Sequence, residues 1–165
     1  MMLDAGALIE KHRSKGVLVD TNLLVLLLVG LVNNRRIVDF KRTQNFTIED
    51  FDMLSQLIAW FGKLITTPHV LSQVSDLTDL PGKDLKTIRG LFSNLAEQME
   101  ESYDPSRSLV ADPLFPRLGL TDSAIATVCS REILALTTDL DLQVALQRRG
   151  ADALNFNHVR PLGWS

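Results

Sequence analysis

The chain has 165 residues, enough for one domain with its own core, and its 45% hydrophobic and 22% charged content excludes a disordered polypeptide. A net charge of −3 excludes a surface coated in basic residues but leaves room for a local basic groove. Cys129 is the only cysteine, which excludes an intramolecular disulfide and a Cys-rich zinc site and suits a reducing compartment.

A single domain is expected over residues 1–165, with its core over about 16–157. Near the start, Lys11-His12-Arg13-Ser14-Lys15 before an apolar stretch imitates a targeting signal. Asp20 and Asn22 interrupt that stretch and no A-x-A pattern follows. Leu23 to Val32 is about half the ~20 residues of a membrane span, so a cytoplasmic protein without membrane attachment is expected.

Gly16-Val17-Leu18-Val19 is short, apolar and β-branched, and reads as a buried strand ending at Asp20. Leu23 to Val32 is apolar on nearly every side, the pattern of a helix buried between a sheet and other elements. Thr47-Ile48-Glu49-Asp50 has capping-box spacing, and Phe51, Leu54, Leu57, Ile58 and Phe61 follow at helical spacing until Gly62. Leu64 to Thr67 reads as a second strand, with a short helix opening at Pro68 and running to Leu77.

Pro81-Gly82 marks a turn, and Leu85, Ile88, Phe92, Leu95 and Met99 predict one long helix from Asp84 to Tyr103. Prolines 105, 113 and 116 predict an irregular, often functional, loop from Pro105 to Leu120. Thr121 is the expected N-cap of a helix through Arg131. Leu134 to Thr138 reads as a third strand, Leu140 to Arg149 as a helix stopped by Gly150, and Ala153 to Phe156 as a final strand. This alternation predicts a three-layer α/β/α fold around a mostly parallel, doubly wound sheet.

Ligands of such folds bind outside the carboxyl ends of the strands. Asp20 and Asp139 follow strands and Asp122 opens a helix, so all three are expected at one edge, with Asp141 beside them. Each alone reads first as a structural cap at a strand end or helix start. Together they repel, and divalent cations would keep them ionised. Hard oxygen ligands around Mg²⁺ or Mn²⁺ suit phosphodiester hydrolysis.

Four stretches resemble the successive acidic motifs of the PIN-domain ribonucleases, in the same order: Val-Leu-Val-Asp20-Thr-Asn-Leu-Leu, Thr-Thr-Pro-His-Val-Leu-Ser-Gln73-Val, Gly-Leu-Thr-Asp122-Ser-Ala-Ile and Leu-Thr-Thr-Asp139-Leu-Asp141-Leu. The resemblance extends from about Val17 to Phe156. It implies a PIN-like fold and metal-dependent hydrolysis of RNA, with Asp20, Asp122 and Asp139 as metal-binding acids and Mg²⁺ or Mn²⁺ as cofactor. Asp141 would be a further acid, and Asn22 and Thr138 would orient ligands or the phosphate. The family also includes toxins of toxin–antitoxin pairs, so an antitoxin-like protein partner and a homodimer are further expectations.

Where that family's second motif usually ends in glutamate, this chain has Gln73, which offers a metal a carbonyl oxygen without charge. The alternative reading is accordingly a catalytically weakened RNA-binding or protein-interaction module. Asp76, three residues later on the same helix, is a substitute candidate whose bland reading is a solvated acid.

Basic residues cluster at Lys11, Arg13 and Lys15, at Arg35, Arg36, Lys41 and Arg42, and at Arg148, Arg149 and Arg160. The second group is the preferred substrate-binding segment, because its length after the buried helix allows it to reach along the active edge. A phosphotransferase of the haloacid-dehalogenase type would need a second aspartate at position 22, where Asn22 stands. His12, His69 and His158 lack metal-ligand spacing, and Cys129 falls on an apolar helix face as a core residue.

Overall fold

The computed structural model describes residues 4–160. Five strands form one sheet in the order β3-β2-β1-β4-β5: β1 (Val17–Val19), β2 (Leu64–Thr66), β3 (Glu100–Glu101), β4 (Leu134–Thr137) and β5 (Ala153–Asn155). Every pairing is parallel, with Val17 opposite both Leu64 and Leu134. Parallel strands need crossovers, and ten α-helices accompany them among the described residues: α1 (Ala5–His12), α2 (Thr21–Val32), α3 (Ile48–Trp60), α4 (Pro68–Leu77), α5 (Lys83–Gln98), α6 (Ser106–Leu109), α7 (Phe115–Leu118), α8 (Leu120–Cys129), α9 (Leu140–Arg148) and α10 (Phe156–Val159). The fold is three-layer α/β/α.

Strand order decides where the helices go. From β1 the chain steps to β2 and β3, and from β4 it steps the opposite way to β5. Right-handed crossovers therefore put α2 to α5 on one face and α8 and α9 on the other. The direction of winding reverses between the neighbours β1 and β4, and this switch point opens a crevice at their carboxyl ends.

The core follows from the same layering. Val17, Leu18 and Val19 are wholly buried, as befits a central strand covered on both faces. Leu23 to Gly30 of α2 are all buried, in agreement with the unbroken apolar run. Around this helix pack α3, α4 and α5. The approach of α3 is so close that a Cβ on Gly30 would lie 2.2 Å from the Phe51 ring. No helix of the described residues is long and apolar enough to cross a membrane.

The capping box at α3 forms: Thr47 accepts from the Asp50 N–H at 3.1 Å, and the Asp50 carboxylate accepts from the Thr47 N–H at 2.9 Å. Asp50 also takes an ion pair from Arg160 at 2.6 Å, so the cap doubles as an anchor for the chain after β5.

Several expectations need correction. The helix expected from Asp84 to Tyr103 stops at Gln98, because Glu100 and Glu101 pair with Ile65 and Thr66 and satisfy the outer edge of β2. Two exposed glutamates on an edge strand suit it, since charge deters pairing with another chain. The stretch from Pro105 to Leu120 holds two one-turn helices, α6 and α7, and the Arg149–Asp112 ion pair ties it to the end of α9. Gly119 rather than Thr121 precedes the first residue of α8, at φ +88°, a conformation natural to glycine. Helix α1 is an element that the periodicity does not announce. Asp4 caps it, Leu8, Ile9 and His12 are buried, and Lys11 and His12 both reach Asp152 at 2.7 Å.

Gly30→Ala is expected to destabilise the fold by about 1–3 kcal/mol despite alanine's better helix propensity, because the added methyl must displace the Phe51 ring. A lowered urea midpoint at unchanged slope would be the signature.

Candidate functional site

At the β1–β4 switch point a cavity of about 360 Å³ opens, lined by Asp20, Thr21, Asn22, Gln73, Asp122 and Asp139 together with Leu77 and the run Leu118 to Thr121. Each acid arrives by a local rule of chain folding. Asp20 is the first residue past β1 and caps α2, Asp139 follows β4 and caps α9, and Asp122 sits in the first turn of α8. Acids at helix starts suit the macrodipole, and here three helices present theirs to one space.

Asp20 is the most constrained of the three. Its Oδ1 accepts the Thr21 N–H at 2.7 Å and its Oδ2 accepts the Thr137 hydroxyl at 2.6 Å. Its own N–H donates to the Leu136 carbonyl at 2.9 Å, which locks β1 to β4 beneath the carboxylate. Asp139 is exposed, with Oδ1 accepting the Leu142 N–H at 3.1 Å and its N–H donating to Thr137 Oγ1 at 3.0 Å. One hydroxyl thus joins two of the acids.

Burial raises the pKa of Asp20, opposed by the bonds from Thr137 and Thr21, and the charge of Asp139 raises it further. Burial, then the charges of Asp20 and Asp139, push Asp122 up to about 7. These shifts reflect burial first and the like charges facing one cavity second. Cys129 is buried and its thiol is pushed up to about 12, by burial first and then by the charge of Asp20, so it is a core group without nucleophilic character.

Among the described residues, no three His, Cys, Asp or Glu side chains stand close enough to share one ion. The acids nevertheless suit a hydrated cation, since Mg²⁺ keeps several waters and takes one or two carboxylates rather than an all-protein cage. Asp20 keeps a lone pair on each oxygen beyond its two hydrogen bonds, and Asp139 is open to solvent.

Asn22 and Gln73, named from the sequence, line the cavity, and both are exposed. Asp76 and Asp141 are exposed and do not line it, although Asp141 lies in the first turn of α9 beside Asp139. Thr138 does not line it either; its carbonyl accepts from Asn157 at 3.4 Å. Arg35, Arg36, Lys41 and Arg42 lie between α2 and α3, outside the cavity wall, with Arg36 paired to Asp84 at 2.7 Å.

Sequence reasoning missed Thr137 and Thr21. Neighbouring strand residues point to opposite faces, so of the adjacent pair Thr137-Thr138 only one could meet Asp20, and β-strand alternation alone does not say which. Thr21 is buried and donates to Gln73 Oε1 at 3.0 Å, a contact across 52 positions that no local pattern announces. No family model matches the chain, and no curated protein matches it.

Asp122 sets a pH signature. Its raised pKa means that between about pH 4 and 7 the folded chain holds a proton the unfolded chain has lost, so this group's contribution to stability falls as pH rises through that window. Asp122→Asn is expected to gain about 1–2 kcal/mol at pH 7.5, after discounting for its partial exposure, and almost nothing at pH 4. Urea unfolding at both pH values measures it; an equal effect at both would show that Asp122 is not strained by burial and its neighbours.

Proposed function

We propose that this protein is a divalent-metal-dependent ribonuclease of the PIN type, hydrolysing RNA phosphodiester bonds at the cavity between α4 and α8. The observation that carries the reading is the convergence of Asp20, Asp122 and Asp139, from three distant segments, on one open space at the sheet's switch point. A fold gains nothing in stability from burying an acid beside like charges, and the pKa of Asp122, raised by burial and then by Asp20 and Asp139, records the cost. Such an arrangement is understandable where a cation belongs.

Asp20, Asp122 and Asp139 would hold a hydrated Mg²⁺ or Mn²⁺, one or two of them directly and the rest through its waters, and the ion when bound lowers the pKa of a coordinated water and offsets charge on the phosphate. The chain's own contribution is placement. The Thr137 hydroxyl and the Thr21 N–H fix both oxygens of Asp20, which holds the carboxylate in one orientation. Thr137 also holds the backbone of Asp139, setting the spacing of two acids through one hydroxyl. The short wall from Leu118 to Thr121 and the α4 face bearing Gln73 and Leu77 bound the space in which a phosphate would sit.

A second reading, an RNA-binding or protein-interaction module with weakened catalysis, draws support from the neutral Gln73 and from the spacing of the acids, no three of which, among the described residues, stand close enough to share an ion. The two readings differ in one assay. With Mn²⁺ and end-labelled RNA, the ribonuclease reading expects fragments from wild type and a loss of about a hundredfold or more in Asp20→Asn. Asparagine still caps α2, so the fold is retained. Equal rates in both proteins would overturn the reading, and RNA bound without fragments would favour the second.

Metal binding has its own readout. At about ten times its dissociation constant, Mn²⁺ is expected to stabilise wild type by about 1.4 kcal/mol, or about 3–6 °C in Tm for a chain of this size. Asp20→Asn is expected to lose most of that shift, as followed by scanning calorimetry.

A further inference from the structure

Three carboxylates ring the cavity, yet among the described residues no lysine, arginine or histidine lines it. A phosphate entering this space meets like charge and is repelled. Apart from a bound cation, only neutral hydrogen-bond donors of the lining can meet its oxygens. The side-chain donors are the hydroxyls of Thr21 and Thr121 and the amides of Asn22 and Gln73.

Two of these are tied to each other. The buried Thr21 hydroxyl donates to Gln73 Oε1 at 3.0 Å, which uses the proton of the one and the carbonyl of the other. That contact takes up one of the two lone pairs on the only Gln73 atom that would ligate a hard cation strongly and leaves that oxygen a poorer ligand. It also fixes which end of the amide is left over. Nε2, carrying two N–H donors, remains as the open end of an exposed side chain on the cavity wall. An N–H donor has the right polarity for a phosphate oxygen and the wrong one for a cation.

Resting on the ribonuclease reading, we propose that Gln73 is a substrate-binding residue that donates from Nε2 to a non-bridging oxygen of the RNA phosphate, and is not a metal ligand. The Thr21 hydroxyl acts as a positioning group, holding the amide with its donor end toward the cavity. The neutral amide also spares the space a fourth negative charge that would oppose the phosphate.

The test uses the full chain as wild type, Gln73→Met and Gln73→Glu. Methionine keeps the length of the side chain without donor or acceptor, whereas glutamate keeps the acceptor for Thr21 and replaces the donor by a charge. Gln73 is exposed, so neither change disturbs the core. Binding of a fluorescein-labelled 20-nucleotide RNA is followed by anisotropy in Ca²⁺ buffer, with the RNA checked for integrity, and Mn²⁺ binding by calorimetry without RNA. Gln73→Met is expected to weaken RNA binding about tenfold while Mn²⁺ affinity stays within about twofold. Gln73→Glu is expected to weaken RNA binding at least as much while tightening Mn²⁺. A tenfold loss of Mn²⁺ affinity in Gln73→Met would make the side chain a metal ligand and overturn the assignment. RNA binding unchanged in Gln73→Met, with wild type still binding Mn²⁺ and cleaving RNA, would overturn the assignment alone. A wild type that binds no Mn²⁺ and cleaves nothing would overturn the ribonuclease reading and this assignment with it.

Discussion

The hydrogen bond from Thr137 to Asp20 is the interaction on which the site depends. A carboxylate at the end of a buried strand carries a desolvation cost, and burial duly raises its pKa. The Thr137 hydroxyl at 2.6 Å and the Thr21 N–H at 2.7 Å offset that cost from opposite directions, one from β4 and one from the start of α2. Both donors exist only because β1 and β4 are neighbours and a helix begins at once after β1. Sheet order, helix start and carboxylate orientation are therefore one arrangement. Removing either donor would leave the half-buried Asp20 carboxylate short of a partner.

The charge distribution around this centre has a division of labour. The cavity wall is acidic and, among the described residues, free of cationic side chains, while several basic residues are engaged in tying peripheral segments down. Lys11 and His12 meet Asp152 and bind α1 to the turn before β5, and these hydrogen bonds outweigh the burial that would otherwise raise the carboxyl's pKa. Arg149 meets Asp112, holds its carboxyl below the usual range and steadies the segment whose end forms the cavity wall. Arg160 meets Asp50 and fastens the chain after β5 to the cap of α3. These pairs are partly exposed, so each adds little to stability beside the buried apolar residues of the same segments, such as Leu8 and Ile9 of α1 and Phe156 and Val159 of α10.

Much of this architecture is legible in the order of the residues. The unbroken apolar run of α2 foretells its burial, the Thr47–Asp50 spacing foretells a capping box, and short β-branched runs ending at Asp20 and before Asp139 foretell parallel strands with acids at one edge. What is illegible involves partners far apart in the chain. The pairing of Glu100 and Glu101 with β2 overrides a helical periodicity that looks continuous to Tyr103. The threonine beside Asp20 is Thr137, because strand alternation acquires a direction only when the neighbouring strand is in place. The basic segment from Arg35 to Arg42, expected along the edge that carries the acids, stands outside the cavity wall, with Arg36 committed to Asp84.

The sequence by itself determined that Asp20, Asp122 and Asp139 stand where a strand ends or a helix begins. Local rules of periodicity and capping act within a few residues and need no knowledge of the fold. Tertiary structure alone decided that the three junctions share one cavity, that Thr137 and Thr21 hold Asp20, and that the carbonyl of Gln73 is taken by a hydroxyl 52 positions away. The physical reason is that a carboxylate or an amide acquires its chemical character from the donors and charges around it, and those come from strands and helices that meet only when the sheet closes around β1.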